Sequence, residues 1–246
     1  MRYKAIVRYD GTAYNGWQIQ PNGLTVQQVV QDALKSLTLQ EIIVTAAGRT
    51  DAGVHSYGQV FHFDCDKQFK DTARAINSQL PDDVRIVSCQ EVSDEFHSRF
   101  DAKWKHYRYV INTNGYDPIR RNYEYQLNEK LDVELMRQAA EEFVGEHDFT
   151  SFNATKLSEM ENQVRTIYRI DVNEINGRVV LDFYGNGFLR HMVRMLTGTL
   201  IEAGKGKITA EEINRLLDSR DKNAVHYNAP ACGLYLMKIG YDDYSA

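Results

Sequence analysis

The chain has 246 residues, of which 43% are hydrophobic and 26% charged, and its formal net charge is −5. This composition is typical of one large globular domain or two smaller ones, and no apolar run reaches the roughly 18 residues of a membrane helix. The N-terminus lacks the apolar segment of a signal peptide, and three cysteines without paired spacing indicate reduced thiols. We therefore expect a cytoplasmic protein with no membrane partner.

The first half of the chain predicts four strands and two helices. Alternating polar and apolar residues predict strands at residues 3–9, 42–47, 58–64 and 84–92. A capping box at Thr25 and Gln28 predicts the start of one helix, and Asp71 is the N-cap of another that ends before Pro81. The first helix has an apolar stripe formed by Val26, Val29, Val30, Ala33 and Leu37.

The second half repeats this order with one helix more. Strands are predicted at 106–111, 166–175, 178–184 and 234–241, and the middle two form a hairpin across Asn176-Gly177. Helices are predicted around the apolar positions Met136, Ala139, Ala140 and Phe143, from about Gly187 to Ala203, and after the capping box Thr209–Glu212.

Each half therefore has the strand–helix–strand–strand–helix–strand order of a ferredoxin-like unit. We predict an α+β protein of two such halves, residues 1–103 and 104–246, with mainly antiparallel sheets placed side by side. A cleft between two sheets is a common place for a binding site, so we expect the active site there.

One loop stands out as a candidate catalytic site. Gly48-Arg49-Thr50-Asp51-Ala52-Gly53-Val54-His55 places a single carboxylate between two glycines, ahead of a strand. Glycine permits backbone angles that other residues resist, and catalytic groups are often carried on loops that rigid strands hold. Arg49 would favour the ionised form of Asp51. A surface turn in which the aspartate only caps the backbone is the alternative.

Cations and aromatic residues supply further candidates. Tyr107 lies on a strand among Lys105, His106 and Arg108, a pattern that suits stacking on an unpaired base beside phosphates, although a core tyrosine also fits. Arg190 and Arg194 lie one turn apart near a predicted helix start, where a planar guanidinium suits a carboxylate or a phosphate. A net charge of −5 argues mildly against a nucleic-acid partner, but binding responds to the local field.

Two other site types fit poorly. The glycines around Gly185-Asn186-Gly187 lack the third small residue and the parallel strand context of a dinucleotide site. Asp51, His55, His62 and Asp64 match no metal-ligand spacing, so we predict no metal site.

Taken together, the motifs resemble the tRNA pseudouridine synthase A family nearly from end to end. The similar segments are Tyr9-Asp10-Gly11-Thr12, Gly16-Trp17-Gln18-Ile19-Gln20, the Asp51 loop, Lys105-His106-Tyr107-Arg108-Tyr109, His147-Asp148-Phe149-Thr150-Ser151-Phe152, Gln163-Val164-Arg165-Thr166-Ile167 and Gly187-Phe188-Leu189-Arg190-His191-Met192-Val193-Arg194. The Asp51 loop is the most specific of them.

The resemblance implies an isomerase of the pseudouridine synthase fold that needs no cofactor. It would convert uridines 38, 39 and 40 in the anticodon stem-loop of tRNA to pseudouridine, and it would act as a homodimer. Asp51 would be the nucleophile, Arg190 would pair with it, and Tyr107 would stack on the target base. Substrate-binding roles are also expected for Arg49, Lys105 and Arg194.

Two other functions remain open from the residues alone. An RNA or nucleoside glycosylase could use the same aspartate, tyrosine and arginine but would release free base. An RNA-binding module without activity could be built on the same ferredoxin-like halves. The chemical route of the isomerase (attack on the ribose, attack on C6 of the base, or a glycal intermediate) is also open.

Overall fold

The computed structural model describes residues 1–155 and 162–245. The chain divides into two compact units: unit 1 comprises Met1–Lys103 and Tyr235–Ala246, and unit 2 comprises Trp104–Leu234. The predicted α+β class with mainly antiparallel sheets is confirmed. The sequence placed residues 235–246 in the second half, whereas they group with unit 1 in the structure. The assignment of two domains to the two halves stays a prediction.

Unit 1 has the predicted ferredoxin-like order of elements. In chain order these are β1 (Arg2–Tyr9), α1 (Val26–Thr38), β2 (Thr45–Ala46), β3 (His55–Asp64), α2 (Thr72–Asn77) and β4 (Val84–Val92). In the sheet, β1 lies between β4 and β3, and β2 pairs with the end of β3, all antiparallel. The C-terminal strand β10 (Leu234–Gly240) pairs in parallel with the start of β3.

The core of unit 1 follows the predicted periodicity. Tyr3, Ala5, Val7 and Tyr9 of β1 are all buried. They pack in one apolar cluster with α1, whose Thr25 cap accepts a hydrogen bond from the backbone of Gln28 at 3.4 Å.

The strand predicted over 42–47 is wrong for most of its length, because only Thr45–Ala46 pairs. Side chains of α1 take the place of a neighbouring strand there. Gln31 accepts a hydrogen bond from the backbone N–H of Val44 at 3.2 Å, and Gln27 donates one to its carbonyl at 3.2 Å. The backbone of Val44 is thus satisfied without a sheet.

The strands of unit 2 are also mainly antiparallel. The elements of this unit are β5 (Trp104–Asn112), β6 (Tyr125–Gln126), α3 (Val133–Glu141), β7 (Gly145–Asp148), β8 (Val164–Ile175), β9 (Arg178–Gly185), α4 (Met192–Gly204) and α5 (Ala210–Ser219). The strand order is β5–β9–β8–β7, and β6 adds a short parallel pair to β5. The strands β6 and β7 were not predicted, because two to four mostly polar residues show no periodicity.

The hairpin and the last helix cap in unit 2 confirm local predictions. Asn176 and Gly177 join β8 to β9 with φ of 51° and 71°, as a two-residue type I′ turn requires. The capping box at the start of α5 is complete: the Thr209 hydroxyl accepts from the Glu212 N–H, and the Glu212 carboxylate accepts from the Thr209 N–H.

The helix predicted from Gly187 begins only at Met192. His191, the N-cap residue, has a φ of +60°, which lies outside the right-handed helical region and ends any helix that would run through it. Arg190 therefore lies in a turn before α4 and not inside the helix. In the part of the chain that the structure describes, each helix is too short or too polar to span a lipid bilayer.

A buried histidine in unit 1 makes the stability of the fold depend on pH. His62 is 6% exposed, and its Nδ1 accepts a hydrogen bond from the Ser98 N–H at 3.2 Å. The Ser98 hydroxyl donates to the Thr45 carbonyl at 2.6 Å. Burial and the nearby cations lower the pKa of His62. The folded protein therefore favours the neutral ring.

We expect the free energy of unfolding to fall as the pH drops below about 6.5, the ordinary histidine pKa. In that range the unfolded chain takes up a proton on His62 before the folded chain does. A His62→Gln variant should show a smaller loss between pH 6.5 and 5, measured by urea unfolding. His226→Gln, at an exposed position, is the control. Equal slopes in His62→Gln and wild type would contradict this assignment.

Candidate active site

Asp51 lies in the loop between β2 and β3, on a tight turn. The Val54 N–H donates to the Asp51 carbonyl at 3.1 Å, which closes a four-residue turn. Gly53 occupies the third position of that turn with a φ of +76°, a value that favours glycine. The side chain of Asp51 is partly exposed and that of Arg49 is exposed. The turn therefore presents a carboxylate at the surface of unit 1.

Residues 48–50, just before Asp51, are held by three hydrogen bonds from other elements, one to a side chain and two to the backbone. The Tyr9 hydroxyl on β1 meets the Thr50 hydroxyl at 2.8 Å in a buried contact. The Thr50 carbonyl accepts from the Trp17 N–H at 3.1 Å, and the Gly48 carbonyl accepts from the Gln59 side chain at 2.8 Å. Burial raises the pKa of Tyr9, so its hydroxyl keeps its proton.

The backbone after Asp51 is held by the segment that leaves β1. The Gly53 N–H donates to the Tyr14 carbonyl at 3.2 Å, and the Gly11 N–H donates to Nδ1 of His55 at 3.1 Å. Tyr14 and Trp17 of this segment are buried. Residues 9–17 therefore support the Asp51 loop on both sides.

Two glycines permit the close approach of these segments. A Cβ on Gly11 would lie 2.0 Å from the Val54 carbonyl oxygen. A Cβ on Gly16, whose φ is +80°, would lie 2.5 Å from the Thr50 carbonyl oxygen. Both neighbours are backbone atoms, so any side chain here would push the Asp51 loop away.

His55 closes the loop with a fixed imidazole. Its ring is 3% exposed and stacks on Tyr235 at 4.8 Å between centroids. Its Nδ1, which accepts from the Gly11 N–H, lies 3.2 Å from Oδ1 of Asp10. That oxygen accepts hydrogen bonds from the backbone N–H and the hydroxyl of Thr12. These contacts fix where β3 begins, and with it the end of the loop.

The other predicted site residues belong to unit 2. Tyr107 on β5 is 7% exposed and makes an edge-to-face contact with Phe188 at 5.2 Å. Lys105, two residues earlier, is half-buried opposite Gly185 of β9. Arg190 is exposed, and its carbonyl accepts from the Ala154 N–H at 3.0 Å. Their roles in a site stay predictions.

Arg194 makes a contact within unit 2 that the sequence did not indicate. Its Nε donates to the Ala229 carbonyl at 2.7 Å, and the Ala229 N–H donates back to the Arg194 carbonyl at 3.0 Å. This exchange ties the segment before β10 to the first turn of α4. Arg194 therefore has a structural contact beside the substrate role predicted for it.

Sequence reasoning also missed the buried carboxylate of Asp182. It lies 2.6 Å from Nε2 of His106 and accepts two hydrogen bonds from Arg108, at 2.9 and 3.0 Å. Burial opposes ionisation, but the hydrogen bonds from His106 and Arg108 lower the pKa of Asp182. The signal was an aspartate inside the apolar run Val179–Phe183. His106 and Arg108 of the predicted basic strand are thus paired with a carboxylate.

The sequence missed the polar partners of the Asp51 loop as well. Tyr9 fits the apolar face of β1, so the sequence predicted that its ring packs in the core and indicated no role for its hydroxyl. Gln59 stood in an apolar and aromatic run and carried no signal of a role. Their polar atoms act on residues 41 and 11 positions away, which periodicity does not reveal.

The fold is of the α+β class, and its Asp51 loop presents a carboxylate on a turn that several hydrogen bonds hold in place. A family model described as tRNA pseudouridine synthase matches residues 5–101 and 139–242. The chain is 43% identical to tRNA pseudouridine synthase A from a species of Exiguobacterium, over 98% of both chains. It is 42% identical to tRNA pseudouridine synthase A from Bacillus subtilis, over 99% of this chain and 100% of the relative.

Among solved structures, the archaeal box H/ACA sRNP Nop10–Cbf5 complex matches with a TM-score of 0.38 and 10% identity. That match covers 94% of this chain but 58% of the other, so this chain spans little more than half of its length. The family model and the relatives cover most of this chain. The protein belongs to the tRNA pseudouridine synthase family.

Proposed function

We propose that this protein isomerises uridine to pseudouridine in tRNA, at positions 38, 39 and 40 of the anticodon stem-loop, with Asp51 as the nucleophile. One observation carries the proposal: residues 48–55, which resemble the family's aspartate loop, lie in a chain that matches its relatives over 98% or more of its length. The anchoring of that loop within unit 1 supports a catalytic role for Asp51 over that of a simple surface turn.

The reaction requires the protein to position the target nucleotide and to supply one nucleophile. The bond between N1 of uracil and C1′ of ribose breaks, a bond between C5 and C1′ forms, C5 loses its proton, and N1 gains one. Atoms and electrons balance without an oxidant, a reductant or net water. A carboxylate that forms a covalent intermediate would divide this change into two easier steps.

The other predicted residues receive supporting roles in the proposal. Tyr107 stacks on the target base, Arg190 pairs with Asp51 and orients it, and Arg49 holds the RNA open. Lys105 and Arg194 bind substrate. Flipping a nucleotide out of a stem costs a few kcal/mol, which RNA contacts must supply. We also propose that the protein acts in the cytoplasm as a homodimer.

The test is tritium release from tRNA transcripts labelled at C5 of uridine, without added metal or cofactor. Release that depends on Asp51, with no free uracil, supports the isomerase. Free uracil in place of pseudouridine would identify a glycosylase. Tight tRNA binding with no release from any anticodon stem-loop uridine would identify a binding module and overturn the proposal.

Affinity for tRNA should fall steeply with salt concentration. Each phosphate that a lysine or arginine neutralises releases condensed counterions, so the logarithm of the affinity falls linearly with the logarithm of the salt concentration. The measurement is a filter-binding titration over a range of potassium chloride concentrations. A flat response would contradict the proposal that cations such as Arg49 and Lys105 hold the RNA backbone.

A further inference from the structure

We propose that the paired hydroxyls of Tyr9 and Thr50 position Asp51 for the reaction, so that both residues act as positioning residues and not as core packing alone. This inference rests on the proposed function, because it assigns a task to the bond next to the nucleophile. Neither residue touches the reacting atoms in the proposal. Both act through the backbone that carries Asp51.

The hydroxyl pair is buried at the junction of two elements. Tyr9 is 4% exposed and Thr50 is 7% exposed, and their oxygens lie 2.8 Å apart. Tyr9 is the last residue of β1, and Thr50 precedes Asp51 directly. The bond therefore joins a strand in the middle of the unit 1 sheet to the residue before the nucleophile.

The packing of Tyr9 does not need its hydroxyl. The ring contacts the Trp17 ring at 6.2 Å between centroids, and it belongs to the apolar cluster of unit 1. A phenylalanine would fill that space equally well. A buried hydroxyl contributes little net stability and is costly when it lacks a partner. We therefore attribute the hydroxyl of Tyr9 to the positioning of the Asp51 loop.

The pair also completes the anchoring of the loop. Backbone bonds through the Thr50 and Gly53 groups fix the path of the chain, and the Gln59 side chain fixes Gly48. The hydroxyl pair is the contact that fixes the side chain of Thr50, and hence the orientation of the peptide that leads to Asp51. Displacement of a reacting group by about 1 Å can cost about 10²-fold in rate.

The experiment compares four variants of the full chain. Tyr9→Phe and Thr50→Val each remove one hydroxyl at nearly constant volume, the double variant removes both, and Thr50→Ser keeps the hydroxyl. For each protein, kcat and KM for tRNA are measured by tritium release, tRNA affinity by filter binding, and the free energy of unfolding in urea.

The expected result is a fall in kcat of about 10- to 100-fold in Tyr9→Phe, Thr50→Val and the double variant alike, with KM and affinity unchanged. The three losses should be similar, because each variant breaks the same bond. Thr50→Ser should retain the kcat of the wild type.

If Tyr9 and Thr50 have only a structural role, a different result is expected. In that case kcat of the folded double variant would equal that of the wild type, whatever happens to its stability, and this result would overturn the inference. Loss of kcat in Thr50→Ser equal to that in Thr50→Val would do the same. Failure of the proposed function is distinct, since wild-type protein would then form no pseudouridine at all.

Discussion

An Asp51→Asn variant is expected to form pseudouridine at least about 10³-fold more slowly than the wild type, with tRNA affinity unchanged. The amide keeps the size of the side chain but cannot form the covalent intermediate. Asp51 lies on a turn whose neighbours are fixed by backbone bonds at Thr50 and Gly53, so the loop should keep its path. The measurement is single-turnover tritium release from tRNA labelled at C5 of uridine.

Two controls make this result specific to Asp51. Asp82→Asn removes an equal charge from an exposed position in the same unit and should leave the rate unchanged. The free energy of unfolding of Asp51→Asn should match that of the wild type within about 1 kcal/mol. Turnover at the wild-type rate in Asp51→Asn would remove this residue from the mechanism. Loss of tRNA affinity equal to the loss of rate would make it a binding residue.

Replacing Gly11 with alanine is expected to lower the free energy of unfolding by about 3 kcal/mol, in line with other overpacked sites. The new Cβ would lie 2.0 Å from the Val54 oxygen and 2.5 Å from its carbonyl carbon. Neither is the tip of a flexible side chain, so the two segments must separate. Activity should fall as well, because this contact supports the end of the Asp51 loop.

The matched control for this change is Gly115→Ala. No heavy atom lies within 4 Å of the position that its Cβ would occupy, and its φ is not in the left-handed region. Urea unfolding of both variants measures the difference. A Gly11→Ala variant as stable as Gly115→Ala, with the rate of the wild type, would show that residues 9–17 do not hold the loop.

Local sequence patterns predicted most of the strands and helices. Strand β4 and the hairpin turn at Asn176-Gly177 agree with the predictions, as does the cap of α2 at Asp71. Each depends on periodicity or on the chemistry of a few consecutive residues, which a sequence displays directly. The position of Asp51 between glycines was visible for the same reason.

The errors share a different cause. The strand at 42–47 is shorter than predicted because side chains of α1 form hydrogen bonds with the backbone of Val44. The helix expected from Gly187 started late because His191 adopts a left-handed conformation. In both cases contacts or angles set by the surrounding fold overrode a local preference that was itself correctly recognised.

The sequence by itself determined the class of the protein, most of its elements, the family and the residue proposed as nucleophile. Only the tertiary structure decided how that residue is held. The bonds from Tyr9 to Thr50 and from the backbone of Gly11 to His55 join residues 41 and 44 positions apart. Such pairs leave no periodic trace in a single sequence, because folding alone brings their polar atoms within hydrogen-bond distance and away from water.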